Sequence, residues 1–267
     1  VEVTIYTQHP DKWQQQFIVD DPKGKQYVGM LKTISNNPAD IIPTADIVLF
    51  CLPAFMVEQT LETIKPYLSS KTIVGSVVGN TGFFIFAHKV LADQPIGLFA
   101  FQRVPYISRV VEYGKKASLL GYKDKLLIAT EHISNPQEFC NDISMLFCTP
   151  TILLQSFYEV TLSNSNPILH TGRLYSMWKD WNGEHYKNNS LFYTSWTDEA
   201  SDLLIKMDQE FFCLLYKLGV STEHLPTLLQ HYDVHDAKSL TQKIKSIPAF
   251  SNILSPMRQT PNGWLPD

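Results

Sequence analysis

The sequence has no basic excess. In 267 residues, 22 Lys and Arg stand against 26 Asp and Glu, giving a formal net charge of −4 and an isoelectric point near 6.1. Duplex-binding proteins concentrate positive charge on one face, so nucleic acid is not an expected partner. Long apolar runs are missing too. None approaches the roughly 18 consecutive residues of a membrane span, so no membrane partner is expected. The opening Val1-Glu2-Val3-Thr4-Ile5 lacks the basic stretch and apolar core of a signal peptide. Cys51, Cys140, Cys148 and Cys213 lie far apart with no C-x-x-C pair. They read as reduced thiols of a cytoplasmic protein rather than as disulfides or metal ligands. His231 and His235 are four apart, but no third ligand accompanies them, so no metal site is expected.

What is present is material for a core: 44% of positions are hydrophobic and 18% charged, enough for one large or two ordinary domains. Up to residue 152, short apolar runs alternate with helix-like stretches. Residues 3–7, 46–52, 72–78 and 96–102 are dense in β-branched and aromatic side chains without polar alternation, as in strands buried on both faces. Val57, Leu61, Ile64 and Leu68 form a helical stripe between the second and third runs, and Phe83 to Leu91 a second helix before the fourth. Such alternation predicts right-handed crossovers and a parallel, doubly wound α/β sheet. Pro22-Lys23-Gly24-Lys25 marks a hairpin insert, and residues 109–113 and 117–121 a second hairpin turning at Gly114.

From Leu153 onward strand signals are few. Tyr158 to Trp181, Thr197 to Leu218 and Val234 to Ile244 favour helix, with Thr197 as a cap and Gly219 as a stop. The expected organisation is therefore a Rossmann-like domain over 1–152 and an all-helical domain over 153–267.

Ligands of doubly wound sheets bind beyond the carboxyl ends of the strands. The segments there are Thr7-Gln8-His9, Pro53-Ala54-Phe55, Gly79-Asn80-Thr81-Gly82 and Gln102-Arg103-Val104-Pro105. They are small, polar or turn-forming, suiting loops that touch a cofactor, although ordinary connections look much the same. G-x-G-x-x-G is absent. Val1 to Thr7 resembles the second strand of a dinucleotide fold, so a first βα unit of roughly 25–30 residues is expected upstream. The alternative is a complete domain opening on an edge strand. The second strand of NAD-preferring folds ends in an acid that holds the ribose 2′-hydroxyl. Here Thr7-Gln8-His9 stands there with Lys12 one turn on, which favours NADP(H) over NAD(H).

Four blocks carry a family resemblance. Ala45-Asp46-Ile47-Val48-Leu49-Phe50-Cys51-Leu52-Pro53-Ala54-Phe55 resembles the fourth-strand segment of the opine dehydrogenases, the octopine/nopaline dehydrogenase family. Phe101-Gln102-Arg103-Val104-Pro105-Tyr106-Ile107-Ser108-Arg109, with Glu112-Tyr113-Gly114, is similar to its L-Q-T-L-P-W-A-C-R…E-Y-G stretch. Asn166-Pro167-Ile168-Leu169-His170-Thr171-Gly172 matches N-P-x-x-H-P-G, and Phe192 to Ala200 resembles a later block opening a helix. The resemblance implies reductive condensation of a 2-keto acid with an amino acid, using NADH or NADPH, with small-molecule substrates as partners. It makes His170 the catalytic histidine. The family's R-Y-x-x-E-D motif, which supplies an aspartate partner, does not occur here, and its segment is expected downstream. Arg103 replaces the usual threonine and Thr171 the usual proline, so substrate preference is expected to differ.

A histidine titrating near neutrality can protonate the oxygen or nitrogen at the reacting carbon. Without its motif, His170 would read more readily as a helix-surface or core histidine satisfied by a carbonyl; the motif reverses that preference. Arginine binds carboxylates as a planar fork. Arg103 is the preferred substrate-binding arginine, with a structural salt bridge as its alternative; Arg109 and Arg173 favour the structural role. Asn166 is assigned to substrate, and Asn80 to nicotinamide or substrate, a turn-forming asparagine being the plain alternative. Thr7, Gln8, Lys12, Pro53, Ala54, Phe55 and Asn80 are the cofactor candidates. Tyr175, Trp178, Trp181 and Trp196 could line an apolar pocket, though interhelical packing explains them as well. Competing functions are a ketopantoate-reductase-like or 3-hydroxyacid dehydrogenase, for which Lys179 and Lys206 sit in no matching motif, and a noncatalytic NADP(H)-binding sensor. A homodimer is left open.

Overall fold

A computed structural model describes residues 1–267, the side chain of Thr81 excepted. The chain divides into two compact units, Val1–Ser163 and Asn164–Asp267.

The first unit opens with β1 (Val3–Tyr6). The expected insert follows as β2 (Gln16–Asp20) and β3 (Gln26–Ser35), an antiparallel pair turning at Gly24, whose φ of +81° suits glycine. Then come β4 (Ile47–Phe50), α1 (Ala54–Ile64), β5 (Ile73–Val77), α2 (Phe83–Val90) and β6 (Gly97–Phe101), with β4, β5 and β6 parallel as the alternation predicts. Helix α1 buries Val57, Leu61 and Ile64 and stops before Pro66, which has no N–H to continue the ladder. The second expected hairpin is β7 (Tyr106–Glu112) and β8 (Lys116–Tyr122), with Gly114 at φ +73°. The unit ends in β9 (Leu126–Glu131), α3 (Pro136–Leu146), β10 (Thr151–Leu153) and α4 (Tyr158–Thr161).

One five-stranded sheet runs β10-β9-β6-β5-β4, the other β1-β3-β2-β8-β7. Every residue of β6 is buried. Leu98 and Ala100 face a core shared with Val57, Leu61, Phe83 and Phe84, while Phe99 and Phe101 join Ile128, Phe139 and Ile143 on the other side. Full burial of each such side chain contributes about 1.5–3 kcal/mol. The fit is tight: a Cβ on Gly75 would lie 2.0 Å from the Phe99 ring.

Two expectations are corrected. The first sheet is mixed, because β9 enters antiparallel to β6. β1 is not buried on both faces. It pairs parallel with β3 in the second sheet, and Val3 is exposed. Residues 151–163 pack with the first unit: β10 pairs with β9, Val160 lies against Gly79, and Gln102 Nε2 donates to the Glu159 carbonyl at 2.9 Å.

The second unit contains α5 (Asn166–Trp178), α6 (Asp198–Lys217), α7 (Leu228–Tyr232) and α8 (Ala237–Ser246). The helix expected from 158 to 181 is broken between Thr161 and Asn166, and Pro167 sits in the first turn of α5, where its missing N–H is harmless. Thr197 caps α6 by accepting from Ala200 N at 3.2 Å, and Gly219 follows at φ +66°. The unit is not wholly helical: β11 (Met257–Thr260) and β12 (Gly263–Pro266) close it as an antiparallel hairpin. Its core joins Leu169, Phe192, Tyr193, Trp196, Leu204 and Leu240. Among the described residues no helix is long and apolar enough to cross a membrane.

Candidate active site

Because β4, β5 and β6 run parallel, the segments that follow them leave from one edge of the sheet. The structure thus brings together Pro53-Ala54-Phe55, Asn80 and Arg103. Pro53 is the N-cap of α1 and offers no side-chain acceptor, so the positive end of that helix dipole has no side-chain counterweight. Ala54 and Phe55 are exposed there. Asn80 is half-buried in a short 3-10 turn whose preceding residue must be glycine. A Cβ at 79 would lie 2.3 Å from Val160 Cγ1 and 2.8 Å from Ala100 Cβ. Arg103 donates Nη2–H to the Ser163 carbonyl at 2.7 Å. Partial desolvation pulls its pKa below the ordinary arginine value, and desolvation is the sole cause. Its charge therefore survives in a setting that rewards an incoming anion.

Thr7, Gln8 and Lys12 lie at the carboxyl end of β1, in the other sheet. Thr7 N donates to Ser35 O at 3.0 Å, and Thr7 Oγ1 accepts from His9 N at 3.3 Å. Gln8 and Lys12 are exposed. Lys12 shares its 3-10 turn with Asp11, so both charge signs are present in this segment. Gly114 at the tip of the β7–β8 hairpin packs on it, where a Cβ would come 2.2 Å from Lys12 O.

In the second unit, Asn166 opens α5 and His170 follows one turn later, on the same face. Asn166 is exposed, and its N–H donates to Asn164 Oδ1 at 3.1 Å. His170 is half-buried. Its ring stacks on Phe192, with centroids 5.8 Å apart and planes at 30°, and meets Tyr193 edge-on at 6.4 Å. The imidazole thus has aromatic walls and partial access to solvent, a setting in which it can exchange protons while staying oriented.

Residues 153–262 match the family model described as NAD/NADP octopine/nopaline dehydrogenase, alpha-helical domain. Over that segment the chain is similar to the octopine/nopaline dehydrogenases. It is 25% identical over 256 residues to the opine dehydrogenase of Haliotis discus hannai, covering 89% of this chain and 63% of that protein. The match thus spans less than two thirds of that dehydrogenase's length. In fold it resembles an octopine dehydrogenase solved with NADH and agmatine, at 21% identity and a TM-score of 0.80, covering 99% of this chain and 72% of that one. A yersinopine dehydrogenase with NADP+ bound is similar at 10% identity and a TM-score of 0.64, covering 95% of this chain and 71% of the other.

Other candidate residues find structural roles. Arg109 donates to the Ser108 carbonyl at 3.0 Å, and Lys179 pairs with Glu199. Trp196 is buried in the core while Tyr175 and Trp181 are exposed, so the aromatics do not form one pocket wall. Among the described residues no group of three or more His, Cys, Asp or Glu is placed to hold a metal ion. Sequence reasoning missed Phe192 and Tyr193 as the walls around His170. Their signal was present: they open the block resembling the family just before the Thr197 cap.

Proposed function

We propose that the protein containing this chain reductively condenses a 2-keto acid with the amino group of an amino acid, taking NADP(H) in preference to NAD(H). Condensation expels water and leaves an imine, whose carbon then takes a hydride while its nitrogen takes a proton. The nicotinamide cofactor supplies the hydride.

The observation that carries this reading is the Asn166–His170 pair on the first turns of α5, within the helical unit that the family model matches. His170 is the general acid/base: it gives a proton to the departing oxygen or to the nitrogen at the reacting carbon. The Phe192 stack limits the ring's rotation and so favours one direction of transfer. Arg103 receives a substrate carboxylate, its desolvated guanidinium making a charge-assisted bond stronger than one in open water. Asn166 bonds the substrate's polar groups.

The strand edge fits a dinucleotide. The uncapped start of α1 at Pro53-Ala54-Phe55 favours negative charge, and the tight Gly79-Asn80 turn offers an amide to the nicotinamide or substrate. Thr7 and Gln8 flank the ribose position, and Lys12 meets a 2′-phosphate. The octopine dehydrogenase solved with NADH and agmatine and the yersinopine dehydrogenase with NADP+ are consistent with this cofactor class.

The test is NADPH oxidation by the full-length gene product with pyruvate and a panel of amino acids. Consumption that requires both substrates supports the reading, whereas consumption with keto acid alone points to a simple reductase. His170→Asn is expected to abolish turnover and leave NADPH affinity intact. Unchanged turnover would remove His170 from the chemistry.

A further inference from the structure

Arg173 is the most unusual charge in the second unit. It lies on α5 one turn beyond His170, is 3% exposed, and has desolvation as the sole cause of a pKa pulled down to about 10, with no carboxylate contributing. Burying an arginine this deeply without an anion is unfavourable unless its N–H groups are satisfied. Here they are spent on one short segment. Nε donates to Phe192 O at 3.1 Å, and Nη2 donates to Ser195 O at 3.0 Å and to Ser195 Oγ at 2.8 Å. The guanidinium also lies over the Trp196 ring at 5.1 Å and the Phe192 ring at 5.9 Å. This segment carries the rings that flank His170. Its other side is tied independently, by Phe192 N to Ile253 O at 2.8 Å and by Thr194 Oγ1 to Ser251 O at 3.1 Å.

We propose that Arg173 is a positioning residue for the imidazole of His170: it clamps Phe192 and Ser195 to α5, and Phe192 in turn fixes the ring plane of His170. Helix α5 thereby sets both the histidine and the wall it stacks against. The guanidinium fork is required because it reaches two carbonyls and a hydroxyl while covering two ring faces, which a single ammonium cannot do. The catalytic half of this proposal rests on the assignment of His170 as the acid/base; the geometric half does not.

The experiment combines imidazole proton NMR with steady-state kinetics on the full-length protein. The His170 resonance is identified as the one missing from His170→Asn. Arg173→Lys keeps the charge and loses the fork, and Phe192→Leu removes the stacked ring while leaving Arg173 in place. Both are expected to displace the His170 resonance and to leave the other imidazoles unmoved. Both should also lower kcat by about tenfold or more with KM within about twofold, as misplacement of a catalytic group does. Thermal melts of each variant establish that it is folded. A folded Arg173→Lys or Phe192→Leu protein with an unshifted His170 resonance would overturn the clamp. Displaced resonances with unchanged kcat would overturn its catalytic half. If His170→Asn keeps its turnover, the acid/base assignment is what fails, and the resonances still decide whether Arg173 orients the ring.

Discussion

Arg103 Nη2 and the carbonyl oxygen of Ser163 are 2.7 Å apart, joining the carboxyl end of β6 to the last residue of the first compact unit. A neutral carbonyl satisfies part of a guanidinium fork and leaves its charge uncompensated, which suits it to receive a carboxylate. Arg103→Met should raise KM for the keto acid or the amino acid by about 10- to 100-fold, the scale of a lost charge-assisted hydrogen bond. The melting temperature should change little, because Arg103 is only partly withdrawn from solvent. A melt lowered sharply with KM unmoved would make Arg103 a strut for Ser163 and nothing more.

Gly79 tests the edge itself. Alanine there would place its Cβ 2.3 Å from Cγ1 of Val160, a fully buried residue of α4. Gly79→Ala should destabilise by about 1–3 kcal/mol, the usual range for overpacking, and should weaken NADPH binding through the displaced Asn80 turn. Val160→Ala in the same chain removes the clashing methyl. The double variant should therefore be more stable than the sum of the two single changes, measured by urea denaturation. Strict additivity would mean that Ala100 Cβ, 2.8 Å from the added carbon, and not Val160 is what requires glycine.

The parts of the fold that were legible in the sequence are those fixed by local pattern. The β4-α1-β5-α2-β6 alternation, both hairpins, the Thr197 cap and the Gly219 stop all follow from periodicity and turn chemistry that few competing arrangements satisfy. What escaped depends on partners distant in the chain. Leu126 to Glu131 is an apolar run whose direction against β6 no local signal states, and β10 adds to that strand from across α3. The β11–β12 hairpin did carry a sign, Asn262-Gly263, but its flanking Arg258 and Gln259 dilute the strand pattern. Among the candidate site residues, His170 and Asn166 were singled out by resemblance to the N-P-x-x-H-P-G motif of the opine dehydrogenases. Arg173 was expected to be solvated or salt-bridged because arginine is almost never fully buried. Only the folded segment around Phe192 and Ser195 supplies the acceptors that make its burial tolerable.

The proposed cofactor preference rests on the segment after β1. Gln8 is exposed and uncharged, and Lys12 shares a short turn with Asp11. A carboxylate at 8 would hold a ribose 2′-hydroxyl and repel a 2′-phosphate. Gln8→Asp should therefore shift the NADPH/NADH ratio of kcat/KM toward NADH by about tenfold or more, equivalent to roughly 1.4 kcal/mol. Lys12→Gln should lower kcat/KM for NADPH and spare that for NADH. If neither substitution moves the ratio, the 2′-position is read elsewhere in the protein.

Asp208 offers a test of the second unit free of any assumption about chemistry. It sits buried on α6 and accepts a bond from Leu228 N at 3.0 Å, tying that helix to the start of α7. Burial raises its pKa above the ordinary aspartate value of 3.8, and the Leu228 bond offsets this only in part. As pH climbs past 3.8, the unfolded chain gives up this proton more readily than the folded one does. The native state therefore loses relative stability between the ordinary and the raised value, and the deficit persists at neutral pH. Asparagine keeps an oxygen for Leu228 N and has no charge to desolvate. Asp208→Asn should accordingly gain in urea midpoint over the parent at pH 7, and the gain should fade as the pH is brought below 4. A gain of the same size at both pH values would show that packing, not ionisation, is what the substitution changes.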